Sequence, residues 1–126
     1  MFNSDSSPND SQAAIRAFFQ IMEHWSVRDE DARALLGEES NDSLYNMKKE
    51  PVRVLHTDKL TRISYLIGVF KALNMLYSEK LADAWIQLPN KNPIFQGDPP
   101  LADMIKGGEA EMQTVRRLLD ARQGGM

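Results

Sequence analysis

Apolar residues recur at steps of three and four through most of the chain, the spacing that places side chains on one face of an α-helix. Residues 12–25 show the pattern well, with Ile15, Phe18, Met22 and Trp25 at this spacing. Capping residues, glycines and prolines divide the pattern into separate segments. The sequence therefore predicts an all-α protein of about seven helices, over residues 12–25, 26–36, 41–49, 58–77, 79–87, 99–106 and 109–122.

The longest predicted helix, residues 58–77, carries apolar residues on more than one stripe, which predicts burial on two sides. Gly68 lies in its interior and lowers helix propensity, which predicts close helix packing at that point. We expect this helix to join an N-terminal half, residues 11–77, to a small C-terminal half, residues 78–126. The polar composition of residues 1–10 predicts a disordered leader. Residues 51–56 are predicted to form an extended linker.

Local signals place the ends of the first three helices. Ser11 is expected to cap the first helix, and Ser26 with Asp29 resembles a capping box for the second. Gly37 can adopt the left-handed conformation that closes a helix. Ser40 or the following residue can then cap the third helix, and Ser78 can cap the fifth.

Two short helices joined by a turn that contains glycine are typical of a helix-turn-helix, whose second helix can lie in the DNA major groove. Asparagine can pair with adenine edges, and lysine with guanine or phosphate. Short helix pairs are also common in proteins that bind no DNA, and this second helix has no arginine. The candidate DNA-binding residues on it are Asn41, Ser43, Tyr45, Asn46, Lys48 and Lys49.

Prolines and glycines set the direction of the chain over residues 84–108, AWIQLPNKNPIFQGDPPLADMIKGG. A helix should stop before Pro89, and Asp98 followed by Pro99 predicts a new helix start, since proline suits the first helical turn. Two interpretations of the segment between them stay open. It is either a tight helix-to-helix connection or a shaped functional loop, because loops of this length are often functional.

Composition limits the classes of protein that the chain can belong to. Its 126 residues suffice for one domain, and its net charge of −3 argues against indiscriminate binding to polyanions. Residues 48–71 nevertheless hold six Lys and Arg against two Asp and Glu, so this basic stretch either meets phosphate or is a solvated face. The chain has no cysteine and no long apolar run, and its polar start does not resemble a signal peptide, so we expect a cytoplasmic protein without a membrane partner.

Catalytic and metal-binding patterns are weak in this sequence. His24 and His56 are far apart and neither has a short ligand spacing to a pair of carboxylates, so we expect no metal site. The acidic run Asp29 to Asp31 is typical of a solvated helix start. There is no phosphate-binding glycine loop. We therefore expect a protein that is not an enzyme and that uses no cofactor.

The C-terminal half resembles the toxin-binding domain of the Xre/MbcA/ParS antitoxin family. That pattern has a helix with Trp, then Pro-Asn, an aromatic or aliphatic residue before Gly, a Pro-Leu helix start, a Gly, and a last helix with spaced Val and Leu. Residues 35–37 and LTRISYLIGVFKALNMLY are similar to the Xre-like helix-turn-helix half, so the resemblance covers roughly residues 12–124. The matching C-terminal residues are Trp85, Pro89, Asn90, Phe95, Gly97, Pro100, Leu101, Gly107 or Gly108, Val115, Leu118 and Leu119.

The resemblance implies a bacterial antitoxin that pairs with a RES-type, NAD-consuming toxin or a related ADP-ribosylating toxin. Such antitoxins cover the toxin's active-site cleft with their C-terminal domain, and many repress their own operon through the N-terminal half. It also implies a homodimer or a larger assembly with the toxin. The residues expected to contact the toxin are Trp85, Pro89, Asn90, Phe95, Gly97, Leu101, Met104, Ile105, Arg116, Arg117 and Arg122.

Three alternatives stay open at this point. Leu101, Met104 and Ile105 could pack only on the long helix and make no contact with a partner. The chain could instead be a stand-alone DNA-binding regulator whose C-terminal half dimerises. It could also be a purely structural helical adaptor.

Overall fold

The computed structural model of the protein describes residues 8–50 and 54–124. Most of the predicted leader, the first half of the predicted linker and the last two residues of the tail lie outside the described residues. The described chain is all-helical, and the predicted number of helices, seven, is confirmed. The helices are α1 (Pro8–His24), α2 (Asp29–Leu36), α3 (Asn41–Lys49), α4 (Thr57–Leu76), α5 (Glu79–Ala84), α6 (Pro100–Gly107) and α7 (Glu109–Gln123).

Helix α4 is the centre of the fold. It contacts α1 and α2 from the N-terminal half and α5 and α7 from the C-terminal half, and its most extensive packing is with α7. Leu60, Ile63, Leu66 and Leu73 on this helix are fully buried. Buried side chains from both halves form one hydrophobic cluster, so the two halves are packed around the same helix. None of the described helices has the length and apolar character needed to cross a membrane.

Gly68 lies under a side chain of α7. A Cβ at this position would lie 2.6 Å from Nε of Arg116 on α7. The predicted close packing is confirmed, and it is the arginine side chain that fills the space above the glycine.

Several local predictions of helix ends are confirmed. The Ser40 Oγ accepts a hydrogen bond from the backbone N–H of Ser43 at 3.1 Å, and the Ser78 Oγ accepts one from Leu81 at 3.4 Å. Gly37 closes α2 with a left-handed backbone, φ 79°. Local chemistry is sufficient at these positions because each cap is satisfied by a group within a few residues.

Two serine predictions are wrong, one because of a local turn and the other because of a contact across the fold. Ser26 is not an N-cap: it has a φ of 55° at the end of α1, where the next residue, Val27, donates its N–H to the Met22 carbonyl at 2.9 Å. Helix α2 begins later, at Asp29. Ser11 lies inside α1, which already starts at Pro8, and its buried Oγ accepts a hydrogen bond from the Leu55 N–H at 3.1 Å.

The start of α6 is displaced by one residue from its prediction. Pro99 takes the N-cap position and Pro100 is the first helical residue. Asp98 remains in the preceding turn, where its N–H donates to the Phe95 carbonyl at 2.9 Å. Asp98, which was expected to cap the helix, is therefore part of the turn that precedes it.

Candidate protein-binding and helix-turn-helix surfaces

Two buried aromatic side chains hold residues 84–108, the segment on which the family resemblance rests. Trp85 is in a 3-10 turn, Trp85–Gln87, and Phe95 ends a second one, Pro93–Phe95. Their rings meet edge to face with centroids 6.1 Å apart. Gln87 donates hydrogen bonds to the carbonyls of Trp25 and Ser26, at 3.0 and 3.1 Å, which attach the first turn to the end of α1.

Hydrogen bonds within the segment fix the backbone between the two turns. The Asn90 side-chain oxygen accepts from the Asn92 N–H at 2.9 Å, and the Asn92 side-chain oxygen accepts from the Ile94 N–H at 3.1 Å. Asparagine favours such local turns because its side chain can replace a backbone acceptor. Gly97, with a φ of 86°, completes the turn. Asn90 and Gly97, expected to contact a toxin, thus have a demonstrable role in the shape of the segment.

The apolar residues expected at the centre of a toxin interface lie mainly in the protein's own core. Phe95 and Met104 are fully buried, and Leu101 and Trp85 are 6% and 7% exposed. Ile105 is half-buried and packs against the same core. Leu101, Met104 and Ile105 therefore pack within the protein, but not only on the long helix as the alternative had it, because α6 has its main contacts with α7, the Trp85–Gln87 turn and α2.

Exposed apolar side chains of the same segment were not singled out by the sequence pattern. Leu88 is 47% exposed and Ile94 is 44% exposed, and Pro89, which was predicted, is also exposed. We call these three residues the loop surface. They follow or lie within the two 3-10 turns, so periodicity gives no information about which way they face.

The three arginines of α7 differ in how freely they can reach a partner. Arg116 lies across Gly68, and its Nε is 3.6 Å from a carboxylate oxygen of Asp120. The Arg122 guanidinium donates to the Tyr77 hydroxyl at 3.4 Å. Arg117 is exposed. Among these predicted contacts, Arg117 is the one whose side chain projects into solvent without a partner in the described part of the chain.

Next to the loop surface is a cleft of about 300 Å³ with an acidic lining. Ile94 contributes to its wall, and three carboxylates, from Asp98, Asp103 and Glu111, outnumber the one ammonium, from Lys106. Partial burial and, to a smaller extent, the Asp103 carboxylate raise the pKa of Glu111 above its ordinary value. We call this the acidic cleft.

Helices α2 and α3 are the two short helices over which a helix-turn-helix was predicted, and most of the candidate DNA-binding residues on α3 are exposed. Asn41, Asn46 and Lys49 are open to solvent, and Tyr45 is 63% exposed. Ser43 is half-buried near the start of α3. All of these residues lie on the short helix α3.

Lys48 and the nearby carboxylates define the electrostatics of α3. The Lys48 ammonium is 5.7 Å from the centroid of the Phe19 ring, a cation–π distance. Asp29 and Asp42 line a cleft of about 440 Å³ together with Asn41, Tyr45 and Lys48. The surface of α3 therefore carries both signs of charge.

Part of the basic stretch at residues 48–71 is used inside the protein. The Lys59 ammonium is 2.9 Å from a Glu38 carboxylate oxygen and donates to the Gly37 carbonyl at 2.9 Å. Arg62 donates to the Leu35 carbonyl at 3.0 Å. Cations at a helix C-terminus stabilise its unpaired carbonyls. These two positive charges thus fix the end of α2 on α4, which reduces the charge available to phosphate.

The structure also assembles a polar cluster that the sequence did not predict. His24, at the end of α1, meets Glu79 and Asp83 on α5, with candidate ligand atoms all within 4.8 Å of one another. The spacing of four residues between Glu79 and Asp83 puts both on one helix face, but His24 is 59 positions away from Asp83. The donor set of one imidazole and two carboxylates can hold a metal ion, which qualifies the expectation of no metal site.

Comparison with known proteins gives one relative along nearly the full chain. The chain is 34% identical over 125 residues, 95% of either chain, to "Uncharacterized protein y4oB" of Sinorhizobium fredii (strain NBRC 101917 / NGR234). No protein-family model and no solved structure matches the chain.

Proposed function

The chain belongs to the same family as y4oB, and we propose that it is the antitoxin of a toxin–antitoxin pair in the bacterial cytoplasm. Its C-terminal half would bind a RES-type, NAD-consuming toxin or a related ADP-ribosylating toxin and cover the active site. The proposal is supported by the resemblance of residues 84–119 to the toxin-binding domain of Xre/MbcA/ParS antitoxins. The chain itself would act by binding, not by catalysis.

The observation that carries the proposal is the construction of the 84–108 segment. Buried Trp85 and Phe95 and the two asparagine turns fix a loop that is not itself core, and this loop exposes Leu88, Pro89 and Ile94. A loop that is already ordered loses less conformational entropy when it binds. Exposed apolar residues on such a loop are suited to the desolvated centre of an interface.

Occlusion would then follow from shape and charge. The loop surface would contact the rim of the toxin cleft through apolar side chains, and the acidic cleft beside Ile94 would face basic groups of the toxin. Arg117 is available to pair with a toxin carboxylate. In this arrangement most of the residues that match the antitoxin pattern would shape the segment, and Pro89 with the exposed Leu88 and Ile94 would make the contacts.

The test is co-purification of the chain with the product of the adjacent reading frame, using variants of the loop surface. We expect Leu88→Asp with Ile94→Asp to lose the partner, because two charges would be placed where the interface excludes water. Exposed positions tolerate such changes within about 0.5 kcal/mol of folding stability. Met75→Asp is the matched control, since Met75 is 71% exposed and lies outside the segment.

Two results would count against the proposal. One is that wild-type chain fails to retain a toxin-like neighbour product. The other is that the double variant retains it as strongly as the Met75→Asp control does. The alternatives of a stand-alone regulator or a structural adaptor predict the first of these results.

A second function, repression of the chain's own operon, is favoured by the exposed polar face of α3. Asn41, Asn46 and Lys49 project from the second helix of a pair whose turn is closed by Gly37 in a left-handed conformation. A recognition helix contacts base edges in the major groove through exposed polar side chains of this kind. We propose that operator DNA binds here, on the opposite half of the sequence from the toxin-binding segment.

A further inference from the structure

We propose that His24, Glu79 and Asp83 form a binding site for a zinc ion that links the end of α1 to α5. The site does not depend on the proposed function, because none of its three residues belongs to the loop surface, the acidic cleft or α3. It lies at a cleft of about 580 Å³ whose wall is formed by Gln20, Glu23, His24 and Asp83. An ion can therefore reach the ligands from solvent.

The ligand atoms are already close to the spacing that zinc requires. A tetrahedral zinc ion with bonds of about 2.0–2.2 Å holds its ligand atoms about 3.3–3.6 Å apart. The Nδ1 of His24 is 3.3 Å from Oδ2 of Asp83, and no pair in the cluster exceeds 4.8 Å. Glu79 is exposed, so its side chain is free to change rotamer when an ion binds.

Two further contacts favour these residues as ligands. The His24 ring packs against Phe70, with centroids 5.3 Å apart, so one side of the imidazole is restricted although the side chain is 46% exposed. The second carboxylate oxygen of Asp83, Oδ1, is buried and accepts no hydrogen bond from any described residue. A buried acceptor without a partner is costly, and a cation near the Asp83 carboxylate would reduce that cost.

The nature of the donors selects the ion. One imidazole nitrogen and two carboxylate oxygens suit zinc and related transition ions, whereas calcium and magnesium prefer oxygen ligands alone. Three protein ligands leave a fourth position for water. A bound ion would connect residues that are 59 positions apart in sequence and would hold α5, which leads directly into the 84–108 segment, against α1.

Isothermal titration with zinc chloride, on protein first treated with a chelator, tests the site. We expect one zinc ion per chain and a rise in the melting temperature with zinc concentration, because the ion binds the folded state. His24→Gln and Asp83→Asn should each weaken zinc binding by at least about tenfold. Substitution of a group that only hydrogen-bonds to a metal ligand already lowers metal affinity by about this factor. His56→Gln is the matched control, because it removes the chain's other histidine, which is exposed at the start of α4.

Cobalt provides a second readout. The visible absorption of bound Co²⁺ should be present in the wild type and in His56→Gln, and absent in His24→Gln. If circular dichroism shows that one of these variants does not fold, Glu79→Gln, a change at an exposed position, is tested in its place. The proposal is overturned if the wild type binds no zinc, if the His24 and Glu79 variants bind it as the wild type does, or if His56→Gln is weakened equally.

Discussion

At the scale of single residues, the 84–108 segment separates side chains that determine shape from side chains that are available to a partner. Trp85 and Phe95 were predicted as toxin contacts, yet they pack against each other inside the protein. A sequence identifies an aromatic residue before a glycine easily, but it does not tell whether a loop aromatic turns inward or outward. Leu88 and Ile94, which the periodicity did not distinguish, carry the exposed apolar area instead.

Glu111 gives a prediction for the dependence of folding stability on pH. Burial first and Asp103 second raise the pKa of Glu111 in the folded protein. A carboxyl group whose pKa is higher in the folded than in the unfolded protein stabilises the folded state at pH values below its unfolded-state pKa. This stabilisation is lost as the pH rises through the folded-state pKa. Glu111→Gln should therefore raise the melting temperature at pH 7, and the difference from wild type should shrink as the pH is lowered.

Glu109→Gln is the control for this experiment, because it removes a carboxylate from the same first turn of α7. Negative charge in a first helical turn is normally stabilising, so this variant should not raise the melting temperature. If Glu111→Gln lowers the melting temperature at pH 7 as much as the control does, burial and Asp103 do not dominate the environment of Glu111.

At the scale of helices, the sequence was most informative where the structure is determined by local chemistry. The positions of α3 and α4 and the caps at Ser40 and Ser78 follow from periodicity and from groups within a few residues. Ser11 and Ser26 were misassigned because their conformations depend on other contacts. Ser11 bonds to Leu55 across the fold, and Ser26 lies in the turn that ends α1.

Helix α3 carries the prediction for DNA binding. We expect Lys48→Ala with Lys49→Ala to weaken binding to DNA from upstream of the gene and to reduce the salt dependence of binding by roughly one unit of slope per lost phosphate contact. Electrophoretic shift at several salt concentrations measures both quantities. The effect should be similar across DNA sequences, because lysine contacts to phosphate carry little sequence information.

Lys80→Ala with Lys91→Ala is the matched control, since it removes the same charge from exposed positions of the C-terminal half. It should leave the shift almost unchanged. Equal weakening by the two double variants would mean that net charge, not α3, governs DNA binding, and an unchanged shift with the Lys48 and Lys49 variant would remove α3 as the DNA-binding helix.

At the scale of the whole molecule, one hydrophobic cluster around α4 joins the two halves. The all-α class and the number of helices could be predicted because they depend on periodicity and on proline and glycine. The internal use of Lys59 and Arg62 and the meeting of His24 with Asp83 could not, since these depend on how α1, α2 and α5 pack on α4. The number of positive charges counted in a basic stretch of sequence is thus an upper limit on the number that the folded surface presents.

Inhibition of the toxin's NAD consumption by the purified chain tests the central claim most directly. The toxin would be the product of the adjacent reading frame, assayed with increasing amounts of the chain. Our account predicts that NAD consumption falls to background once each toxin active site has one chain bound, because the proposed contact of the 84–108 segment would cover the cleft. A stable complex that consumes NAD at the rate of the free toxin would contradict it.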